Sequence, residues 1–320
     1  MKFDISFVIP SYNGKLLLEK NLSAVIASLK YLERPGLEKQ GRAFIDSEII
    51  VVNDASSDGT ANWLSANYPQ IKVIENKNNL RFGRSCNRGV NLAKGEIVVL
   101  LNNDVKPHQD FLASVLPHFT DNQVFAVGFR EVNLVDGKLI SGGRGVSKFE
   151  RGLVVHWRPE DQKNSNVTWI SGGSAAFNKS IWDKLGGFDE IYRPAYEEDR
   201  DLCWQALKSG YKIVFEPKAV AEHYHETTNL KLFGKAKITI FSLKNQLLFV
   251  WKNISSPGYL LNHFFWLPYH LILTTFRTRG LFLIAFFWAL IQLPEMWNSK
   301  KRISGFWQLK DEQIFNLVTE

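Results

Sequence analysis

The chain has 320 residues, 45% of them hydrophobic and 22% charged, enough for one large globular domain or a domain with an appendage. Two cysteines, Cys86 and Cys203, sit far apart with no partner motif, which excludes a disulfide scaffold and points to a reducing cytoplasm; the N-terminus lacks the long apolar stretch of a secretory signal. The net charge of +7 is concentrated: between His225 and Lys310 eleven basic side chains meet only Glu226 and Glu295, so that stretch carries +9 and the rest of the chain −2, and because the stretch is also the most apolar part, its basicity does not argue for nucleic acid.

In chain order, Ile5–Ile9, Glu48–Val52, Ile71–Ile74 and Ile97–Leu101 are runs apolar on nearly every residue, the pattern of parallel strands buried on both faces. Helical stretches fall between them at Leu16–Leu29, Ala61–Asn67 and Arg84–Ala93, with Ser57 or Asp58 available to cap the second. The alternation predicts an α/β fold with a mostly parallel central sheet flanked by helices, whose ligands bind beyond the carboxyl ends of the strands. Residues 106–170 are less regular, with a helix expected over Phe111–Phe119, a strand over Val124–Phe129 and a glycine-rich excursion over Gly137–Gly152. Helices are expected over 180–186 and 199–209, and a strand over Ile213–Phe215.

Beyond residue 230 the character changes. Phe241–Trp251 reads as an amphipathic helix bearing Lys244 and Lys252, Tyr259–Phe276 as an interrupted apolar stretch, and Leu281–Leu293 as a purer one ending at Pro294. A bilayer span needs about 20 apolar residues, so this last run is too short. An interfacial helix, a re-entrant hairpin and a helix packed on the main domain all fit.

Four polar clusters follow strands or open helices. Pro10-Ser11-Tyr12-Asn13-Gly14 follows the first strand, where a turn alone explains Pro and Gly while Tyr12 could stack on a base. Asn53-Asp54-Ala55-Ser56-Ser57-Asp58 follows the second and suits either ribose and base hydrogen bonds or a helix cap. Asn102-Asn103-Asp104 follows the fourth, where a carboxylate on a rigid strand end suits a hard divalent cation that also takes phosphate oxygens. Tyr196-Glu197-Glu198-Asp199-Arg200-Asp201 opens a helix; its acids fit the helix dipole, yet crowding raises a carboxyl pKa and suits a general base.

Taken together and in order, VIPSYN, VVNDASSDGT, NNLRFGRSCNRGV, GEIVVLLNND, WISGGSAAF, LGGFDE, EEDRDLCWQALKSGY, PKAVAEHYHETT and SLKNQLLFVWKN resemble the family 2 glycosyltransferases, inverting enzymes of the GT-A fold that build bacterial surface glycans. The match runs over about residues 5–250. The resemblance implies that Tyr12 stacks on the nucleotide base and Asp54 binds base or ribose, with Pro10, Asn13, Asp58, Arg84, Asn102 and Asn103 also on the donor side. It implies that Asp104 holds Mg²⁺ or Mn²⁺, aided by His223 or His225, and that Asp199 is the catalytic base with Glu198 beside it. The family's Asp-x-Asp begins here with Asn102, a variant of rhamnosyltransferase-like branches, so the cation is expected to arrive with the donor. Trp169 and Trp182 could stack on sugars or simply pack.

The implied reaction is inverting transfer of a single hexosyl or deoxyhexosyl unit from a UDP-, dTDP- or GDP-sugar to a glycan or lipid-linked acceptor. The Gln-x-x-Arg-Trp motif and multiple spans of processive synthases do not occur. The competing readings are a silent protein that keeps the sugar-nucleotide fold, which Asn102 favours and the intact acids oppose, and a nucleotidyltransferase, which lacks its basic triphosphate loop. The expected organisation is a GT-A domain over 1–230, with a nucleotide half to about 105 and an acceptor half over 106–230, followed by a helical region over 231–320. That region is expected to hold the protein on the cytoplasmic face of the membrane, and a cut near residue 253 to leave donor binding intact.

Overall fold

The four apolar runs of the first hundred residues become the parallel half of one large sheet. A computed structural model describes residues 2–32, 43–135, 138–224 and 228–317. The chain opens β1 (Lys2–Ser11), α1 (Lys15–Leu32), β2 (Ala43–Asn53), α2 (Thr60–Asn67), β3 (Lys72–Glu75), α3 (Arg81–Leu92), β4 (Ile97–Leu101). The strands stand in the order β3-β2-β1-β4, all parallel. Alternate side chains of β1 serve two cores, Val8 packing in one with Cys86 and Val90 of α3, and Phe7 and Ile9 in the other with Leu18 and Leu22 of α1. Gly89 lets α3 lie on the sheet, since a Cβ there would stand 2.3 Å from Val8.

The second half adds β5 (Val105–Pro107), α4 (Phe111–Val115) with a 3₁₀ turn to Thr120, β6 (Val124–Val135), β7 (Lys138–Gly142), β8 (Arg144–Glu150), β9 (Leu153–Trp157), β10 (Trp169–Ile170) and β11 (Ser174–Asn178). After these come α5 (Lys179–Leu185), a short 3₁₀ turn at Glu190–Tyr192, α6 (Glu198–Lys208) and β12 (Lys212–His223). Here the sheet departs from the parallel pattern: β11 lies antiparallel between β4 and β6, β12 runs parallel to β6, and β5 closes the edge antiparallel to β12. The segment expected as a glycine-rich excursion forms strands instead, β7 extending β6 and β8 pairing with β9 and β10 in a small second sheet; Gly137 itself lies outside the described residues. Gly143, at a φ of 108°, makes the turn between β7 and β8.

The tail is helical: α7 (Thr228–Asn253), kinked at Gly234, then α8 (Pro257–Tyr269), a π turn (His270–Thr274) and α9 (Thr275–Arg277), followed by α10 (Leu281–Ile291), α11 (Leu293–Ser304) and α12 (Asp311–Asn316). No described helix is by itself long and apolar enough to cross a membrane. The tail is joined to the sheet half by buried charge. Lys252 of α7 donates to Asp189 at 2.7 Å and to Asp201 of α6 at 2.6 Å, and Asp201 also accepts from Tyr192 and Asn253. Lys208 of α6 donates to Asp311 of α12 at 2.7 Å, both side chains fully enclosed. Phe315 packs on Trp204.

Two expectations change accordingly. Lys244 and Lys252 do not form an outward basic face on α7: Lys252 is in the buried pairs, and the Lys244 ammonium donates to the Arg193 carbonyl and to Gln292. Nor is the tail a removable anchor, because a cut near residue 253 would strip Lys208 of its carboxylate and uncover Trp204.

Candidate active site

Strand ends of the parallel half, the start of α6 and the end of β12 converge on one open cavity of about 490 Å³. Its floor is set by backbone geometry. Asn103 donates to Ser11 Oγ at 3.0 Å, tying the end of β4 to that of β1, and Asn21 of α1 donates to the Asn103 carbonyl at 2.8 Å. The Asn102 amide donates to the Gly173 carbonyl at 2.8 Å, and a Cβ on Gly173 would fall 2.3 Å from the Asn102 side chain. Only glycine lets β11 approach so closely.

On the wall formed by β1 and β2, Pro10, Tyr12, Asn13 and Asp54 line the cavity as the sequence predicts. Their hydrogen bonds are more specific. Asp54 is buried, and its oxygens accept from Asn76 at 2.7 Å and from the amides of Leu80 at 2.7 Å and Arg81 at 2.9 Å. Its carboxylate therefore first anchors the entry to α3. Asn13 and Ser56–Ser57 clasp each other through Asn13 Oδ1 and Ser56 Oγ.

Two predicted donor-side residues lie elsewhere. Asp58 caps α1 by accepting from the Lys15 amide at 2.9 Å and α2 by accepting from Thr60. Partial burial would raise its carboxyl, but the Thr60 and Lys15 hydrogen bonds win and hold it below its ordinary value. Arg84 pairs with Glu190 at 3.1 Å and lines a separate hollow of about 20 Å³. Trp169 and Trp182 are buried in the core and do not reach the cavity.

At the opposite wall, Asp104 and His223 come together, His223 Nε2 standing 3.3 Å from Asp104 Oδ1. Behind them His223 Nδ1 is 3.2 Å from Glu131, which Arg158 also contacts at 2.8 Å. Burial would lower the imidazole's pKa, but its hydrogen bonds with Asp104 and Glu131 outweigh it and lift the value to about 9. Burial likewise opposes ionisation of Glu131, and the His223 hydrogen bond and Arg158 charge hold it far below the usual carboxylate range.

Among the described residues no three His, Cys, Asp or Glu side chains converge tightly enough to hold an ion by themselves. Asp104 nevertheless suits a divalent cation whose remaining ligands are phosphate oxygens, and His223 could join it once the cation displaces the imidazole proton. Glu131 stands behind the imidazole and fixes the ring's orientation. His225 lies outside the described residues.

The third wall is the start of α6. Tyr196 and Glu197 both hold left-handed backbone, φ 74° and 78°, immediately before Glu198 and Asp199. Asn245, buried on α7, enforces this: its single NH₂ donates to the carbonyls of Tyr192, Ala195 and Tyr196 at 2.8, 2.9 and 2.8 Å. Asp199 accepts from the Arg200 amide at 2.8 Å and from the Gly172 amide at 3.3 Å. Glu198 lies buried on the cavity wall with Oε2 unpartnered, and burial together with the Asp199 charge pushes its carboxyl up to about 8. Glu197 is also buried, which raises it to about 7 despite its 2.9 Å pair with Arg200.

The cavity thus brings together Pro10, Tyr12, Asn13, Asp54, Asn102, Asn103, Asp104, Glu198, Asp199 and His223. It also holds residues that the sequence reading missed. Arg81, in left-handed backbone at the head of α3, lines the cavity with its guanidinium 4.9 Å from the Phe233 ring centre. Arg81 opens α3 three residues before Arg84, and that basic helix start beside a polar cluster was the available signal. Asn245 carried none, since its partners lie some 50 residues earlier.

The description "Glycosyl transferase family 2" fits residues 6–186, and "Glycosyl transferase family group 2" fits 97–297. The chain is 26% identical over 233 residues to the pre-mycofactocin glycosyltransferase of Mycobacterium tuberculosis, covering 70% of this chain and 43% of that relative's length. It is 23% identical to the O-antigen chain rhamnosyltransferase RfbN of Salmonella typhimurium, over 72% of this chain and 69% of RfbN. Among solved structures it is similar in fold to the mannosyltransferase PcManGT of Pyrobaculum calidifontis in complex with GDP-Man and Mn²⁺, with a TM-score of 0.53, 17% identity, and coverage of 91% and 87%.

Proposed function

The chain belongs to glycosyl transferase family 2, and from that premise we propose that it transfers a single sugar, with inversion, from a nucleoside diphosphate sugar to a glycan or lipid-linked acceptor in surface polysaccharide assembly. The observation that carries this reading is one cavity lined by Tyr12, Asn103, Asp104, His223, Glu198 and Asp199, which come from strand ends and a helix start far apart in sequence. Tyr12 offers a ring for the base. Arg81 adds a positive charge on the cavity wall for the diphosphate.

When bound, a divalent cation supplies electrostatic stabilisation of the charge growing on the departing diphosphate, and Asp104 and His223 are the side chains that would hold it. Asp199 accepts the proton of the acceptor hydroxyl as that oxygen forms its bond to the anomeric carbon and the bond to the diphosphate breaks. Glu198, its carboxyl raised to about 8, keeps its proton at neutral pH and donates a hydrogen bond to a sugar hydroxyl. The Salmonella relative, named as a rhamnosyltransferase, favours a deoxyhexosyl unit.

The test is a thermal-shift panel of UDP, dTDP and GDP and their sugars, each with and without Mn²⁺. One nucleotide should stabilise by about 2.7 kcal/mol at a hundredfold excess over its Kd, with the Mn²⁺ increment lost in Asp104→Ala. A chain stabilised by none of them is not a sugar-nucleotide enzyme.

A further inference from the structure

The rod formed by α8, the π turn and α9 is built inside out. Its most exposed large apolar side chains are Leu261 at 72%, Phe265 at 77%, Ile272 at 69% and Phe276 at 83% exposure. They fall at intervals of four, seven and four residues, which is one stripe of a helix. Phe264 widens it. The face turned to the protein carries the polar groups. His263 is buried between the Gly152 carbonyl and the Trp251 indole, and His270 bonds the Arg151 carbonyl. Helix α10 repeats the pattern, with Ala285 and Ala289 buried and Ile284, Phe287, Trp288 and Ile291 exposed. An apolar surface of this extent on a water-facing element calls for an occupant.

Charge identifies it. From Pro257 to Pro294 there is no acidic residue, and the only charged side chains are Arg277 and Arg279, both exposed at the end of the stripe. Neither arginine faces a carboxylate among the described residues. A second copy seated on this face would bring like charges together, whereas an anionic surface complements them. Trp288 on α10 and Trp297 on the adjoining α11, both exposed, have the amphipathic rings that favour a headgroup boundary. Helix α10, at 11 residues and about 16 Å, is far short of a bilayer core, and the α8–α9 rod has one side committed to the protein.

We propose that the outward face of α8–α10 lies in the headgroup region of an anionic bilayer, with Phe264, Phe265, Ile272 and Phe276 inserted and Arg277 and Arg279 on the acidic lipid. The basic contribution is narrower than the sequence suggests, because Lys300 turns inward to the Trp251 and Ile254 carbonyls. This inference does not rest on the sugar-transfer reading.

The experiment is co-sedimentation of the full chain with vesicles of phosphatidylcholine alone or with a third phosphatidylglycerol, alongside analytical ultracentrifugation without lipid. The protein should pellet with the anionic vesicles and be partly released by high salt. Arg277→Gln and Arg279→Gln should each lower partitioning about fivefold. A Phe264→Ser/Phe265→Ser/Phe276→Ser variant, altered only at exposed positions, should stay in the supernatant while keeping the wild-type melting temperature. A wild-type chain that remains in the supernatant with anionic vesicles overturns the proposal. So does a dimer that the triple variant dissolves, since the face then belongs to a second copy. The nucleotide thermal shift, run on the same protein, fails or succeeds separately.

Discussion

Helix α6 carries two kinds of buried acid within one turn. Asp201 is fully compensated, accepting from Lys252, Asn253 and Tyr192. Glu198, three residues earlier, faces the cavity with one oxygen unpartnered and its carboxyl raised to about 8. The same helix thus holds one acid that ties the tail to the sheet and another left short of partners. An uncompensated buried polar group persists only where something else needs it, so the contrast separates structural acids from those available for chemistry.

Altering the cavity side should cost rate and spare stability. Asp199→Asn should lower turnover by about 10²–10⁴-fold with donor binding and melting temperature unchanged, as measured by steady-state kinetics and nucleotide titration. Near-wild-type turnover would remove Asp199 from the role of base. The seam should behave in the opposite way. Lys252→Met leaves two buried carboxylates without their cation and should cost about 3–5 kcal/mol in denaturant unfolding, and adding Asp201→Asn should recover part of it.

Asn245 joins the two behaviours. Asn245→Asp removes both N–H donors that the Tyr192, Ala195 and Tyr196 carbonyls share and should cost about 1–3 kcal/mol. If it positions the acids, kcat should also fall more than KM changes, and its pH profile should shift; a purely structural asparagine would move only the unfolding midpoint. The last test concerns the pH dependence that Glu198 confers. Folded, it keeps its proton to about 8, whereas unfolded it ionises near its ordinary 4.5. The folded state therefore holds more protons between those values, and this group's contribution to stability declines as pH rises through them. Glu198→Gln should remove that slope, so the variant's melting temperature gains on the wild type between pH 5 and 9.

What the sequence made legible follows from how local each signal is. The parallel strands announced themselves because burial on both faces leaves a run such as Ile97–Leu101 apolar throughout. That Asp104 and Asp199 line one cavity follows from local position, directly after a strand and at a helix start. Asp54 lines the cavity after its strand, but its three hydrogen bonds to the α3 entry depend on a loop 22 to 27 residues away. Lys244 and Lys252 looked like a solvated basic face because a lysine's partners are invisible in its own helix; Asp189, Asp201 and the Arg193 carbonyl supply them from elsewhere. The strands between residues 138 and 157 were hidden by glycines that fit either a loop or a tight turn, as at Gly143.

The buried ion pairs also bear on how such a chain can change over generations. Those that join the tail to the sheet half each have one member before residue 230 and one after it: Asp189 and Asp201 answer Lys252, and Lys208 answers Asp311. A recombination event that joined this sheet half to a tail from another lineage would leave charges stranded in the interior unless the incoming helices carried the matching members. The outward apolar face of α8–α10 is under no such constraint and can change while the inner face stays fixed. The outer surface of the tail and the seam beneath it can therefore diverge at different rates within a single inherited unit.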